Sequence, residues 1–444
     1  MASRNKKHAI IPVFIPHKGC PNDCIFCNQR KITARSAAVT PEDVRTTIRT
    51  WLTTLQDVPA VEAAFYGGSF TGIPLEEQRA YLEVAREYKW AGAIQKIHLS
   101  TRPDYITPEI LDNLKEYSVD TIELGVQSFD EDVLRQSRRG HTAQQVYDAV
   151  SRIQDYGFEL GIQLMIGLPG DTMEKCLYSA RETARLRPQL ARLYPTIVLD
   201  ETDLYDAYRQ GTYIPLSREE AVLRTKEMYK ILEASDITIM RVGLKSTELI
   251  GDGGAINGGT YHPAFRQLVE GAIARERIEP LLIRLKLNAS GNSLTENKQK
   301  IDVFSNGKWY SNMVGNEADN KKYFTQKFPE FNFRFRRDDS LADGQFRVSA
   351  KEEKMDREKA VVTITGRDEV GILASVSACC ANANASVIEM TQSVKQDFFT
   401  MMMVISIEQM NVTIAELRDA ILKELPTMDV HVMHENIFNS MHRI

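Results

Sequence analysis

Residues 20–27 read Cys20-Pro21-Asn22-Asp23-Cys24-Ile25-Phe26-Cys27 and follow closely on the apolar run Ala9 to Ile15. Three cysteines spaced Cys-x3-Cys-x2-Cys cannot close a metal site alone. A tetrahedral zinc takes four ligands, and a cubane iron-sulfur cluster has four irons, each wanting one. A tight loop that feeds three thiolates to a cubane leaves one iron open to an external ligand, which is what a catalytic cluster needs. A zinc knuckle completed by His17 would use the same cysteines, so the spacing leaves two chemistries open. Either way, an apolar strand that delivers its special residues just past its C-terminal end is the arrangement of a β/α barrel.

Downstream, short apolar runs alternate with amphipathic stretches. Candidate strands are Ile10 to Ile15, Val61 to Tyr66, Lys96 to Ser100, Thr121 to Gln127, Glu159 to Ile166 and Arg192 to Leu199. Helical patterns lie between them, such as Pro41 to Leu55 and Glu76 to Tyr88. Thr40, with Pro41 at the first helical position and Asp43 three residues on, is a helix-start signature. Six parallel strands with intervening helices predict an α/β fold, a partial, TIM-like (β/α)6 barrel. The unusual residues fall at the strand ends: the cysteine loop, Gly67-Gly68-Ser69-Phe70, Thr101-Arg102-Pro103-Asp104, Gln127-Ser128 and Gly167-Leu168-Pro169-Gly170, with Tyr194-Pro195 in the sixth strand. Six such coincidences in register point to a barrel mouth.

Each tip has a functional and a plain reading. Gly67-Gly68 lets backbone approach a ligand closely and suits an ammonium group, or is an ordinary turn. Arg102, held extended by Pro103, reaches a carboxylate or ribose, or pairs with Asp104. Glu123 and Gln127, four apart on a strand, point to one face, toward a polar cofactor or toward Arg135, Arg138 or Arg139. Gln163 on the fifth strand has the same ambiguity.

Composition bounds the rest. A chain of 444 residues predicts two or three domains. The net charge of -5, with acids and bases interspersed, shows no global basic face. Six cysteines, three of them clustered, indicate a reducing compartment. The N-terminus has neither a signal-type apolar region nor a cleavage site, and no apolar run approaches a membrane span, so a soluble cytoplasmic protein with no membrane partner is expected.

The cysteine spacing, with the aromatic Phe26 before the third cysteine, resembles the radical SAM family. The runs FYGGSFT (65–71), LSTRPDYI (99–106), IELGVQSFDEDVLRQSRRGHT (122–142), QLMIGLPGDT (163–172) and LYPTIVLDETDLYDAYRQGTY (193–213) resemble the radical SAM half of the Elongator catalytic-subunit family, which modifies wobble uridine in tRNA. The second and third runs are also similar to oxygen-independent coproporphyrinogen oxidases, although Ser100 and Gln163 stand where those enzymes show carboxylates. The resemblance runs from about residue 8 to residue 275 and implies a 4Fe-4S cluster on Cys20, Cys24 and Cys27. It implies S-adenosylmethionine (SAM) with its adenine against Phe26 and its amino group at Gly67 and Gly68, and further SAM contacts at Ser100, Gln127, Arg139 and Gln163. It also implies a one-electron reductant of flavodoxin or ferredoxin type, and reductive cleavage of SAM to a 5'-deoxyadenosyl radical that abstracts hydrogen from a substrate, tRNA among the candidates. No glycine-rich acetyl-CoA loop follows the barrel, so only the radical-generating half carries over.

Residues 276–350 read as a small α+β extension, with strands near Pro280 to Leu285 and Phe331 to Arg336 and a helix from Glu317 to Phe328. Lys321, Lys322, Lys327, Arg334, Arg336 and Arg337 interleave there with Tyr323, Phe324, Phe331, Phe333 and Phe335, a composition that binds RNA or marks a half-buried strand. Residues 351–359 form a charged linker. From residue 360 to 444 the pattern is β-α-β-β-α-β, the ferredoxin-like order. With the turn Gly366 to Leu373 it resembles an ACT domain. That resemblance implies homodimerisation and an amino acid bound near Asp368, Gly371 and Ile372. Two other functions use the same features: an iron-sulfur and amino-acid sensor without turnover, and a zinc-stabilised RNA-binding protein.

Overall fold

A computed structural model describes residues 8–15, 20, 24–28, 39–244, 256–259, 261–289, 298–350 and 358–441. Residues 1–350 form one compact unit and 351–444 another. His17, Gly251 to Gly254 and most of the 351–359 linker lie outside the described residues.

The first unit is built on strands β1 (Ala9–Ile15), β2 (Val61–Gly67), β3 (Lys96–Thr101), β4 (Thr121–Gln127), β5 (Glu159–Ile166) and β6 (Leu190–Pro195), each within two residues of its expected start. Then follow β7 (Ile197–Leu199) and β8 (Thr238–Val242). The sheet is parallel throughout, in the order β1-β2-β3-β4-β5-β6-β8, an open barrel of seven strands with helices between them. The seventh strand, β8, has no counterpart in the sequence reading, because Arg241 interrupts its apolar run.

Alternation along each strand decides which side chains face where. Ile11, Val13 and Ile15 of β1, Ile122, Leu124 and Val126 of β4, and Leu160, Ile162 and Leu164 of β5 join one large core under the helices. The opposite rows face the interior and carry Glu62, His98, Glu123 and Arg192, all buried. The run Arg192 to Leu199 is not one strand. It breaks at Thr196, whose N–H still reaches the Ile166 carbonyl at 2.8 Å, and β7 pairs instead with a short antiparallel strand, β9 (Ile256–Gly259). Thr40 closes the expected capping box with Asp43 at the helix Pro41–Leu52, and Thr142 does the same with Gln145 at Ala143–Asp155.

The stretch Pro280 to Leu285 is helical. It belongs to Phe265–Ala289, a 25-residue helix that contains Pro280. The run Leu281-Leu282-Ile283 reads as a strand in isolation, but Val269, Ile273, Ala274, Ile278 and Leu282 form a buried stripe at spacings of three to five residues. This helix covers a small sheet of β10 (Gln299–Ser305), β11 (Phe331–Arg337) and β12 (Arg347–Ala350), ordered β11-β10-β12. Phe324, Phe331 and Phe333 are buried in its core. Lys327 pairs with Glu279, while Arg334 and Arg336 share Asp302. The alternation is that of a half-buried strand with a solvated face.

The second unit folds as β13 (Lys359–Arg367), a helix Ile372–Asn382, β14 (Ser386–Lys395), β15 (Phe398–Ser406), a helix Ile414–Glu424, and β16 (Asp429–His434), followed by a terminal helix Glu435–Met441. Its antiparallel sheet runs β14-β15-β13-β16 over its own core of Val362, Ile364, Val376, Met401, Met403, Ile405 and Leu417. Among the described residues no helix is long and apolar enough to cross a membrane.

Candidate active site at the barrel mouth

The cysteine loop is pinned from three distant places. Ile25 donates its N–H to the Ser137 carbonyl at 3.3 Å and accepts from the Leu204 N–H at 2.8 Å. Cys27 N–H turns back onto the Cys24 carbonyl at 3.1 Å. Arg139 donates from Nη1 to Cys24 Sγ at 3.0 Å and from Nη2 to the Gly125 carbonyl at 2.5 Å, so one buried guanidinium ties the loop to β4. Phe26 is half-buried and packs on the cluster of Val198, Leu204 and Tyr213. Burial and the neighbouring thiols Cys24 and Cys20 push the Cys27 thiol up to about 12.

At the end of β2, Gly67 has φ +122°, and a Cβ there would stand 2.6 Å from the Ile15 carbonyl oxygen. Gly68 spends its N–H on the same carbonyl at 3.1 Å. Gly68, Ser100 and Tyr66 line one narrow cleft at the mouth. Gln127 has φ +69° and lies at a bulge in the β4–β5 pairing, which shifts it out of simple alternation with Glu123. Gln163 is registered one layer above Glu123, opposite Gly125, and its Nε2 donates to Gln127 Oε1 at 3.3 Å.

Glu123 is satisfied within the protein, and by other partners than Arg135, Arg138 or Arg139. Arg192 Nε stands 2.6 Å from its carboxylate and His98 Nε2 3.5 Å. Burial raises the Glu123 carboxyl, but these cations outweigh it and hold the group below its usual range. The same guanidinium bonds the phenols of Tyr66 and Tyr194. An arginine two residues before a tyrosine on an otherwise apolar strand was the available signal for this network.

Arg102 is buried and forms a bidentate pair with Asp104, both contacts 2.9 Å, which settles its first partner. Its Nη1 nevertheless has no hydrogen-bond partner among the described residues, nor has Nε of Arg139; both side chains, and that of His141 beside them, are at least 94% buried. Burial, then the charge of Arg139, pulls the His141 imidazole down to about 3. Among the described residues no three Cys, His, Asp or Glu side chains gather closely enough to hold a single metal ion. Thiolates that each take a separate iron of a cubane stand farther apart than the ligands of one ion.

Residues 14–182 match the model of the Radical SAM superfamily, and residues 188–275 that of the radical SAM C-terminal domain. Together the two span more than half of the chain. The chain belongs to the radical SAM superfamily. Residues 358–435 of this radical SAM protein match the ACT domain model. The tRNA uridine(34) acetyltransferase of Methanocaldococcus jannaschii is 32% identical over 127 residues, covering 28% of this chain and 24% of that protein. The heme chaperone HemW of Bacillus subtilis is 28% identical over 219 residues, 48% of this chain and 56% of that one. The structure of Methanocaldococcus infernus Elp3 with an N-terminal deletion has a TM-score of 0.49 at 19% identity, covering 61% of this chain and 63% of that one. The chain thus spans between about a quarter and half of the length of the first curated relatives it matches.

Superfamily membership implies a 4Fe-4S cluster and SAM in general, and the residues present fit them. Three cysteines share a loop that a buried arginine already addresses at one sulfur. A buried thiol that resists ionisation, as Cys27 does, is what a cationic iron-sulfur core stabilises as a thiolate. Nη1 of Arg102 and Nε of Arg139 are buried donors with no hydrogen-bond partner among the described residues, which suits a bound polar group.

Proposed function

We propose that this radical SAM enzyme cleaves SAM reductively at a cluster held by Cys20, Cys24 and Cys27, and acts by hydrogen abstraction on a substrate at the barrel mouth. When bound, the cluster and SAM supply one-electron reduction of a sulfonium and a 5'-deoxyadenosyl radical. The chain's own part is positioning and exclusion of water. Arg139 fixes Cys24 relative to β4, and its free Nε, with Nη1 of Arg102, faces the space where a carboxylate would be held. Gly67 and Gly68 bring backbone close to an ammonium group, Phe26 offers a face to adenine, and Ser100, Gln127 and Gln163 complete a polar rim. The observation that carries this reading is the Arg139–Cys24 contact, which joins the cysteine loop after β1 to the segment after β4 across 115 residues of chain.

tRNA is the first substrate to try, because relatives over this half are tRNA uridine(34) acetyltransferases and Elongator complex protein 3. Electrons come from a flavodoxin- or ferredoxin-type donor. In the second unit, Asp368, Glu369, Gly371 and Ile372 line an open concavity of about 460 Å³ together with Gln392, Val394 and Phe399. This supports an amino-acid ligand there, with homodimerisation through the same domain. We place the protein in the cytoplasm.

The test is anaerobic reconstitution with iron and sulfide, reduction with SAM, and assay for 5'-deoxyadenosine, against a variant with Cys20, Cys24 and Cys27 all changed to Ala. Product from the wild type alone supports the reading. A filled, reducible cluster that yields none, even with undermodified tRNA and cell extract, transfers the case to a sensor. A colourless protein holding zinc sinks both.

A further inference from the structure

Two neighbouring arginines, Arg192 and Arg241, stand on adjacent strands of the barrel, and one of them is unpaired among the described residues. Glu62, His98, Glu123 and Arg192 follow one another on β2, β3, β4 and β6, with His98 Nδ1 3.8 Å from Glu62 and Nε2 3.5 Å from Glu123. Burial lowers the His98 imidazole, but its bonds to Glu123 and Glu62 outweigh that and hold it raised. Arg241 on β8 is left over.

Its place follows from register. Gly125, Gln163, Arg192 and Arg241 stand side by side on β4, β5, β6 and β8, one layer above Glu123. A bulge at Met240 brings Arg241 into line with Arg192, although Ile239 and Val242 on either side face the outer core. Arg241 is half-buried and makes no hydrogen bond or ion pair among the described residues. Arg192, by contrast, is fully committed to Glu123, Tyr66 and Tyr194. Tyr194, whose hydroxyl accepts from Arg192 at 3.3 Å, stands two residues after Arg192 on the strand beside β8, and the Arg241 charge is among those that oppose the rise burial imposes on its phenol. β8 is also the last strand of the sheet.

Half-burying a guanidinium next to a second one, with no ion pair to it among the described residues, is less unfavourable when an anion joins them. We infer that Arg241 is an oxyanion seat, which takes a phosphate or carboxylate group of the substrate and holds it beside the Tyr194 hydroxyl. The planar fork of arginine matches both groups bidentately. The inference rests on the reading of the mouth as a substrate site, and it narrows that substrate to an anionic molecule anchored on the β6–β8 side.

The test uses the full chain as purified, without SAM, and reads the melting temperature in inorganic phosphate, in malonate and in chloride at matched ionic strength. Wild type is expected to gain about 2 °C or more in phosphate or malonate over chloride, by mass action on the folded state. Arg241→Gln loses the gain, Arg241→Lys retains part of it, and Arg138→Gln, which removes an exposed cation paired with Asp203, keeps all of it. A gain in phosphate points to a nucleotide or nucleic-acid substrate, and a gain in malonate to a carboxylic acid. No gain in the wild type, or an equal gain in Arg241→Gln, overturns the inference. Because the readout needs no cluster, its failure is separate from failure of SAM cleavage, which the 5'-deoxyadenosine assay reports.

Discussion

Arg139 offers the sharpest quantitative test. Its Nη1 lies 3.0 Å from Cys24 Sγ, it is buried, and Nη2 is anchored on Gly125, so its charge is fixed in place. A guanidinium at that distance from the sulfur stands on the order of 6 Å from the centre of any group the sulfur ligates. One unit of charge there, at an effective dielectric near 20, favours the reduced state by about 3 kcal/mol. At about 59 mV for each tenfold change in a one-electron equilibrium, this corresponds to roughly 120 mV. Arg139→Gln is therefore expected to lower the midpoint potential of the reconstituted cluster by about 100 mV, and Arg139→Lys by less, because it keeps the charge and loses the fork. The assay is a redox titration followed by electron paramagnetic resonance, without SAM. Arg138→Gln is the control: the same charge is lost from the adjacent residue, but there it is half exposed and screened. Equal shifts in both variants would show that net charge, and not the buried N–H to sulfur bond, sets the potential, and would refute the reasoning.

Three further outcomes are expected. His141 is held down to about 3 against an ordinary 6.5, so the unfolded chain takes up the proton first. Stability contributed by the neutral ring is full above pH 6.5 and falls as the pH drops toward 3, by about 2 kcal/mol between pH 6.5 and 5. Urea midpoints over this range should fall less steeply for His141→Asn than for the wild type, and parallel slopes would contradict the assignment. Gly67→Ala places a Cβ 2.6 Å from a backbone oxygen at φ +122° and is expected to cost about 3 kcal/mol or prevent folding. Gly371→Ala, with φ +99° but nothing within 4 Å, should cost about 1 kcal/mol by thermal melts. In the second unit, Val387, Ile388 and Val394 on β14 and Phe398 at the start of β15 are exposed by 43% to 53%, which fits a dimer edge. Ile388→Lys with Val394→Glu should convert a dimer to a monomer in light scattering, and a wild type that is already monomeric would end that proposal.

How far the sequence carried can be read from particular residues. Strand positions were legible because apolar alternation and turn residues agree locally, and the cysteine loop because its spacing is chemical. Partner choice was not. Glu123 takes Arg192 and His98, which lie 69 residues after it and 25 before it, and no local pattern encodes that pairing. The strand Arg192 to Leu199 divides after Pro195 because β7 takes a different partner, β9, which lies far along the chain and which no local pattern announces. The expected strand at Pro280 failed because a helical stripe reaching back to Val269 outweighed a short apolar run. β8 escaped notice because its polar residue, Arg241, faces inward, against the usual sense of charge on a buried strand.

The three ties on the cysteine loop also bear on biosynthesis. The loop emerges from the ribosome within the first thirty residues, but the Ser137 carbonyl, Arg139 and the Leu204 amide that hold it arrive more than a hundred residues later. Until β4 and the chain through Leu204 have been made, the cysteines are exposed thiols without a seat. Loading of a cluster on these cysteines would thereby be a late event, matched to completion of the barrel, and a nascent chain stalled before residue 139 would offer its cysteines to whatever oxidant or stray metal reached it first.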